Sequence, residues 1–143
     1  MLSQTAEYAL RAALWLAEHP DGPVRVGDLA AGLRVPRNYL SKTMHQLARA
    51  GVLTSVRGKS GGFRLARKPS AIRLLDIIRP FEPLVERREC VLGRATCSDI
   101  APCQAHHRWK EVMRTTTAFF TDTTLADLMR EPRGRTAQVV PTR

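Results

Sequence analysis

The sequence predicts a mainly α fold carrying one small β-hairpin. Three observations predict it: two short helical segments in close succession, a pair of strand-like runs closed by glycines, and a longer helical stretch from about 104 to 121. With 143 residues, 43% of them hydrophobic, the chain can bury one ordinary core and carry an appendage.

The first element is a helix over 3–18, with Ser3 as its cap and Ala6, Ala9, Leu10, Ala13 and Ala17 on one apolar stripe. Tyr8, Ala12 and Trp15 form a second stripe. A helix apolar on two sides packs against two things, either its own domain and a partner subunit or a core on both flanks. His19-Pro20-Asp21-Gly22-Pro23 is a turn by composition. A short helix follows at 26–33 and another at 36–50, with Pro36 suited to its first turn and Gly51 to its stop. Leu40, Met44 and Leu47 give the second of these its buried stripe, leaving Asn38, Ser41, Lys42, His45 and Arg49 outward. Two short helices joined by a tight turn, the second polar and basic outside, match a helix-turn-helix. The runs 53–57 and 62–66, joined by Gly58-Lys59-Ser60-Gly61, read as a hairpin in the place of a wing. Arg57, Lys59, Arg64, Arg67 and Lys68 load it with charge and no acid interrupts them; the bland alternative is a solvated hairpin. A helix over 70–79, capped by Ser70, ends at Pro80 and Pro83. Beyond a loop at 84–103, the helix from about 104 to 121 spaces Trp109, Val112, Met113, Thr116 and Phe120 for packing against the first helix or a second subunit. Thr124 and Asp127 begin a last short helix with a Thr-x-x-Asp cap, and 131–143 reads as a disordered tail.

Charge narrows the function. The net charge is +10, and residues 1–70 hold eleven Lys and Arg against four acids. The basic excess sits on the helix-turn-helix half, as a polyanion-binding head requires; a merely soluble basic surface is the weaker alternative. Candidate DNA contacts are Arg37, Asn38, Tyr39, Ser41, Lys42 and His45 on the second helix, and Arg57, Lys59, Ser60 and Arg64 on the wing. No apolar run is long enough for a membrane helix, and the opening lacks a basic leader and a cleavage site, so a cytoplasmic protein is expected. No G-x-S-x-G or H-E-x-x-H motif is present. The segment RGKSGG contains Gly-Lys-Ser but lacks the first glycine of a phosphate loop. An enzyme is not expected.

The three cysteines, Cys90, Cys97 and Cys103, lie in one stretch, and His106 follows the last by three. A loop with thiolates at this spacing can wrap one centre, and soft ligands suit iron–sulfur clusters, zinc or cuprous ion. A Cys3His set would satisfy zinc, although the paired C-x2–4-C spacing of structural zinc sites is missing. Plain thiols complete the alternatives. His107 is expected to be solvated.

The chain resembles the Rrf-two (Rrf2) family of bacterial winged-helix regulators. The likeness covers roughly residues 1–130. It rests on EYALRAALWLA, PRNYLSKTMHQLARAGVL, SVRGKSGGFRLARKP, AIRLLDIIRPFEPL, the three cysteines and TLADLM. The resemblance implies a homodimer that binds an operator in double-stranded DNA, with a [2Fe–2S] or [4Fe–4S] cluster on the three cysteines. The wing and the segment ending FEPL look most like the nitric-oxide-sensing repressors (NsrR type). Cys103-x2-His106 followed by Trp109 looks more like the iron–sulfur biogenesis regulators (IscR type), which makes His106 the fourth ligand. In some nitric-oxide sensors an acidic residue near the N-terminus takes that role from the other subunit, and Glu7 stands there. The spacer between Cys90 and Cys97 is longer than the family's usual one, which a loop absorbs at little cost. The expected layout is a winged helix-turn-helix DNA-binding domain at 1–83, a cluster loop at 84–103, a long dimerisation helix and a short helix at 104–130, and the tail. A cluster-free winged-helix regulator, one with structural zinc, or a small cluster carrier that does not read DNA remain the alternatives.

Overall fold

A computed structural model describes residues 2–83 and 90–132. The first helix, α1 (Gln4–Glu18), is capped where expected: Ser3 Oγ accepts the Ala6 N–H at 3.2 Å. Ala6, Ala9, Ala12 and Ala13 are fully buried, and Tyr8, Leu16 and Ala17 nearly so. Both apolar stripes are therefore used within the protomer, and α1 is the central core helix. Its small side chains let α3 (Arg37–Arg49), α4 (Leu74–Ile78) and α6 (Leu125–Arg130) all pack directly against it.

The helix pair is α2 (Val26–Leu33) and α3. Arg34 makes the turn in the left-handed region, at φ 55°, and Val35 N–H bonds back to Ala30 O at 3.1 Å. Pro36 is extended and stands just before the helix rather than in its first turn. Leu40, Met44 and Leu47 are completely buried, together with Thr43, whose hydroxyl donates to Tyr39 O at 3.0 Å. Gly51, at φ +76°, ends the helix.

Strands β1 (Leu53–Val56) and β2 (Gly62–Leu65) pair antiparallel from Leu53↔Leu65 to Val56↔Gly62. A third chain segment joins them. Val24, just before α2, exchanges both backbone hydrogen bonds with Phe63, at 2.9 and 2.8 Å. The hairpin is thereby stitched to the entrance of the helix pair.

The helix expected over 70–79 is shorter and starts later. Pro69–Ala71 forms a 3₁₀ turn, Ile72 is extended, and α4 covers only Leu74–Ile78. Tertiary pairing explains the difference. Leu74 N–H bonds to Thr123 O at 2.9 Å and Leu125 N–H to Ile72 O at 3.0 Å, so 72–74 are drawn into a bridge with 123–125. Asp76, not Ser70, caps the result by accepting the Arg73 N–H at 3.0 Å. The long helix α5 (His106–Asp122) begins where His106 N–H bonds to Cys103 O, two residues later than expected. The Thr124–Asp127 capping box opens α6 as its sequence requires, and Leu125 is completely buried. Thus α6 returns to the head and packs on α1 and the 3₁₀ turn. Residues 84–89 of the cysteine loop and 133–143 of the expected tail lie outside the described residues. Among those described, no helix is long and apolar enough to cross a membrane.

Candidate DNA-reading face and cysteine site

The buried stripe of α3 determines which residues look outward. With Leu40, Thr43, Met44 and Leu47 inside, Arg37, Asn38, Tyr39, Lys42 and His45 are exposed and Ser41 half-buried. Tyr39 is 66% exposed, unusual for an aromatic in a monomer and suited to contact with another molecule. The His45 ring stands edge-on to Phe63, with centroids 5.3 Å apart, which ties the helix to the wing.

At the wing, Arg57, Lys59, Ser60 and Arg64 are all exposed. Two glycines have separate structural jobs. A Cβ on Gly61 would strike the Val56 carbonyl, and one on Gly62, at φ +148°, would strike the Val24 carbonyl. Gly62 therefore serves a close approach between strands inside the protein. Arg25, which the sequence did not single out, donates from its guanidinium to Lys59 O. An arginine between a turn and a helix carries no local signal of this role; only the Val24–Phe63 pairing brings it to the wing tip.

The cysteine loop gathers its donors in two pairs. Cys90 Sγ and Cys103 Sγ are 3.8 Å apart. Cys97 Sγ is 3.2 Å from His106 Nδ1. His106 is only 3% exposed, and its Nε2 lies 2.9 Å from Asp99 Oδ1, which also receives Lys110 Nζ at 2.7 Å. The hydrogen bonds from Lys110 and then His106 lower the Asp99 pKa to about 2. Asp99 is thus an acceptor only, so His106 donates to it from Nε2, which leaves Nδ1 facing Cys97. The turn from Cys90 to Gly93, which Gly93 makes at φ +78°, points the backbone N–H groups of Arg94 and Leu92 at the Cys90 sulfur and lowers its pKa. Asp99 is a second residue the sequence analysis missed, since a carboxylate seven places before a histidine on a loop has no motif. Glu7 lies exposed in the first turn of α1. Among the described residues no three His, Cys, Asp or Glu side chains converge as a ready metal cage. His107 is exposed, as expected.

Apolar side chains are exposed on the loop and along α5. Val91, Leu92 and Ile100 on the loop, and Val112 and Phe119 on α5, are at least half exposed, whereas Phe120 is buried in the core. The stripe expected on α5 is only partly covered within one protomer.

A family model described as Rrf2, an iron-dependent transcriptional regulator, matches residues 2–131. The chain belongs to the Rrf2 family. A putative HTH-type transcriptional regulator of Aquifex aeolicus (strain VF5) is 40% identical over 131 residues, covering 90% of this chain and 91% of that one. Among solved structures, CymR (YrzC), the global cysteine regulator of B. subtilis, is 29% identical with a TM-score of 0.77, over 90% of this chain and 95% of that one. T. potens IscR is 28% identical with a TM-score of 0.70, over 94% and 93% of the two chains. This Rrf2 chain is therefore an HTH-type transcriptional regulator, not an enzyme, and the mainly helical fold with its two-stranded wing is that of the Rrf2 regulators. Rrf2 membership implies DNA as a partner.

Proposed function

We propose that the protein is a homodimeric, sequence-specific regulator whose grip on its operator is controlled by an iron–sulfur cluster held in the loop 84–103. The outward residues of α3 enter the major groove, and the wing from Arg57 to Gly62 follows the adjacent minor groove or phosphates. The half-exposed apolar side chains of the loop and α5 suit burial against a second copy.

The observation that carries the cluster reading is the arrangement of donors in two pairs. A tetrahedral metal with bonds of about 2.3 Å to sulfur sets two thiolates about 3.8 Å apart, and one with a nitrogen of about 2.1 Å sets the unlike pair about 3.6 Å apart. Cys90 and Cys103 already match the first spacing, and Cys97 and His106, at 3.2 Å, need to open only slightly. Two pairs without a common cage suit a two-iron centre better than one zinc ion. His106 has the orientation a ligand needs, with Nδ1 available and Nε2–H held by Asp99. The backbone N–H groups at Cys90 favour the thiolate that ligation requires. When bound, a cluster supplies a centre that reacts with nitric oxide and changes with redox state or iron–sulfur supply. The chain's own part is to transmit its gain or loss. His106 N–H bonds to Cys103 O at one end of α5, and Thr123, just past the other end, bonds to Leu74. A change in the loop therefore shifts a helix anchored in the DNA-reading head.

Anaerobic reconstitution with iron and sulfide analysis, a visible spectrum and DNA footprinting tests this. A coloured protein is expected, pale when any of Cys90, Cys97 or Cys103 becomes Ala, with a footprint that changes on cluster loss. His106→Ala should destabilise the cluster and Glu7→Ala should not; the reverse result gives the fourth position to Glu7 of the second subunit. A colourless protein with one equivalent of zinc, or a footprint indifferent to chelation, overturns the cluster reading.

A further inference from the structure

The thiols of Cys90 and Cys103 stand in direct contact. Their sulfurs are 3.8 Å apart, and all three cysteines are unbridged and half-buried. The backbone around them fixes this approach. Cys90 O accepts the Gly93 N–H at 2.9 Å and Cys103 O accepts the His106 N–H at 3.0 Å, so each cysteine opens its own turn. Between them, Arg94 Nη1 donates to Ala101 O at 3.2 Å and clasps the two limbs of the loop together. A disulfide sets its sulfurs about 2.05 Å apart, so closing this pair takes less than about 2 Å of movement, shared by two side chains on a loop. The third sulfur is engaged elsewhere. Cys97 Sγ lies 3.2 Å from His106 Nδ1, and His106 is itself buried and held by Asp99. Geometry therefore selects one pairing among the three cysteines.

We propose that Cys90 and Cys103 form a reversible disulfide when the metal-free chain meets hydrogen peroxide, leaving Cys97 as a thiol. In the first step one of the two sulfurs attacks a peroxide oxygen, the O–O bond breaks, and a sulfenic acid and one water result. In the second the other sulfur attacks the sulfenic sulfur, an S–S bond forms, the S–O bond breaks and a second water leaves. The two thiols lose two electrons and two protons, and the peroxide takes up both. A dithiol reverses the bond by exchange. The oxidised chain cannot present three thiolates to a metal until it is reduced. This chemistry belongs to the metal-free chain, so it does not depend on which metal the loop later holds.

Thiol counting on the full chain tests this. The protein is stripped with a chelator, reduced, exposed to hydrogen peroxide, alkylated under denaturing conditions and weighed by mass spectrometry. The alkylated thiols should fall from three to one and return to three after dithiothreitol. Trypsin with a protease that cuts before aspartate releases 89–94, 95–98 and 99–108, each with one cysteine, so the linkage is read directly. A bridge between 89–94 and 99–108 is expected, with Cys97 alkylated. Cys97→Ser should form the same bridge at an unchanged rate, whereas Cys103→Ser should lose the prompt phase of thiol loss, at least about tenfold in rate, because the neighbouring sulfur is gone. Three thiols surviving peroxide, a bridge through Cys97, an even mixture of linkages, a bridge between two chains, or an equal rate in Cys103→Ser overturns the proposal.

Discussion

Gly62 is where a single methyl group should do most damage to the wing. A Cβ there would stand 2.5 Å from the Val24 carbonyl carbon and 2.9 Å from Arg25 N, and nearer still to the Val24 oxygen. Non-bonded carbons settle at about 3.5–4.0 Å, so the strands must part by about 1 Å. All the obstructing atoms are backbone, and no side chain can swing aside. Parting stretches the two Val24–Phe63 bonds, now 2.9 and 2.8 Å, beyond hydrogen-bonding range. Their loss costs about 2 kcal/mol at a net value of about 1 kcal/mol each. Placing Ala at φ +148° adds about 1–2 kcal/mol of strain, partly offset by the reduced entropy of the unfolded chain. Gly62→Ala should therefore lose about 2–3 kcal/mol. Gly51→Ala is the control, because Gly51 also has positive φ but nothing stands within 4 Å of its Cβ. It pays strain alone and should lose about 1 kcal/mol or less. Urea denaturation followed by circular dichroism measures both. Equal losses for the two variants would refute the steric account of the wing's attachment.

Replacing Arg57 and Lys59 together by Ala should weaken binding to every DNA sequence and flatten the salt slope by about 2, whereas changes at Asn38, Ser41 or Lys42 should alter sequence preference at about 1–3 kcal/mol per lost base contact. Arg25→Ala releases the Lys59 carbonyl from its tether, so it should lower DNA affinity while leaving the urea midpoint nearly unchanged, because the side chain is exposed. Asp127 receives the Thr124 N–H and hydroxyl, which hold its pKa below the ordinary 3.8. A depressed folded pKa means the stabilisation is present above about 3.8 and fades as pH falls through the lower folded value. Wild type and Asp127→Asn should thus differ in melting temperature near neutrality and converge in strong acid.

Where the sequence was legible, local and tertiary preferences agreed. Ser3, the α2 segment, the Leu40–Met44–Leu47 stripe, the glycine-closed hairpin and the Thr124–Asp127 box each specify an element by short-range chemistry, and the fold keeps each of them. The segment 70–79 was misread because its helical spacing is real but incomplete as a guide. Residues 123–125 compete for the same backbone groups, and a partner some fifty positions away leaves no trace in local periodicity. The double stripe of α1 was ambiguous for a related reason. Periodicity says that a face is buried but not against which element.

The site divides along the same line. Cysteines, a nearby histidine and a run of arginines announce their chemistry by residue type, so the donors and the charged wing could be named from the chain alone. What organises them could not. Asp99 accepts from His106 Nε2 and so fixes which nitrogen faces Cys97. Arg25 decides where the wing tip sits. Each acts by occupying a hydrogen bond of a candidate site residue, His106 or Lys59. Such second partners are selected by position in space, and a loop or a turn can supply them from many places in the sequence. Asp99→Asn separates the two levels. It leaves all three thiols and the imidazole in place but offers His106 a neutral amide that can donate as well as accept, so the ring is no longer held to one tautomer. If the cysteine site depends on that orientation, the variant should retain its thiol content yet bind metal more weakly, by about 10- to 100-fold. Unaltered metal affinity would mean that burial alone holds His106 in position.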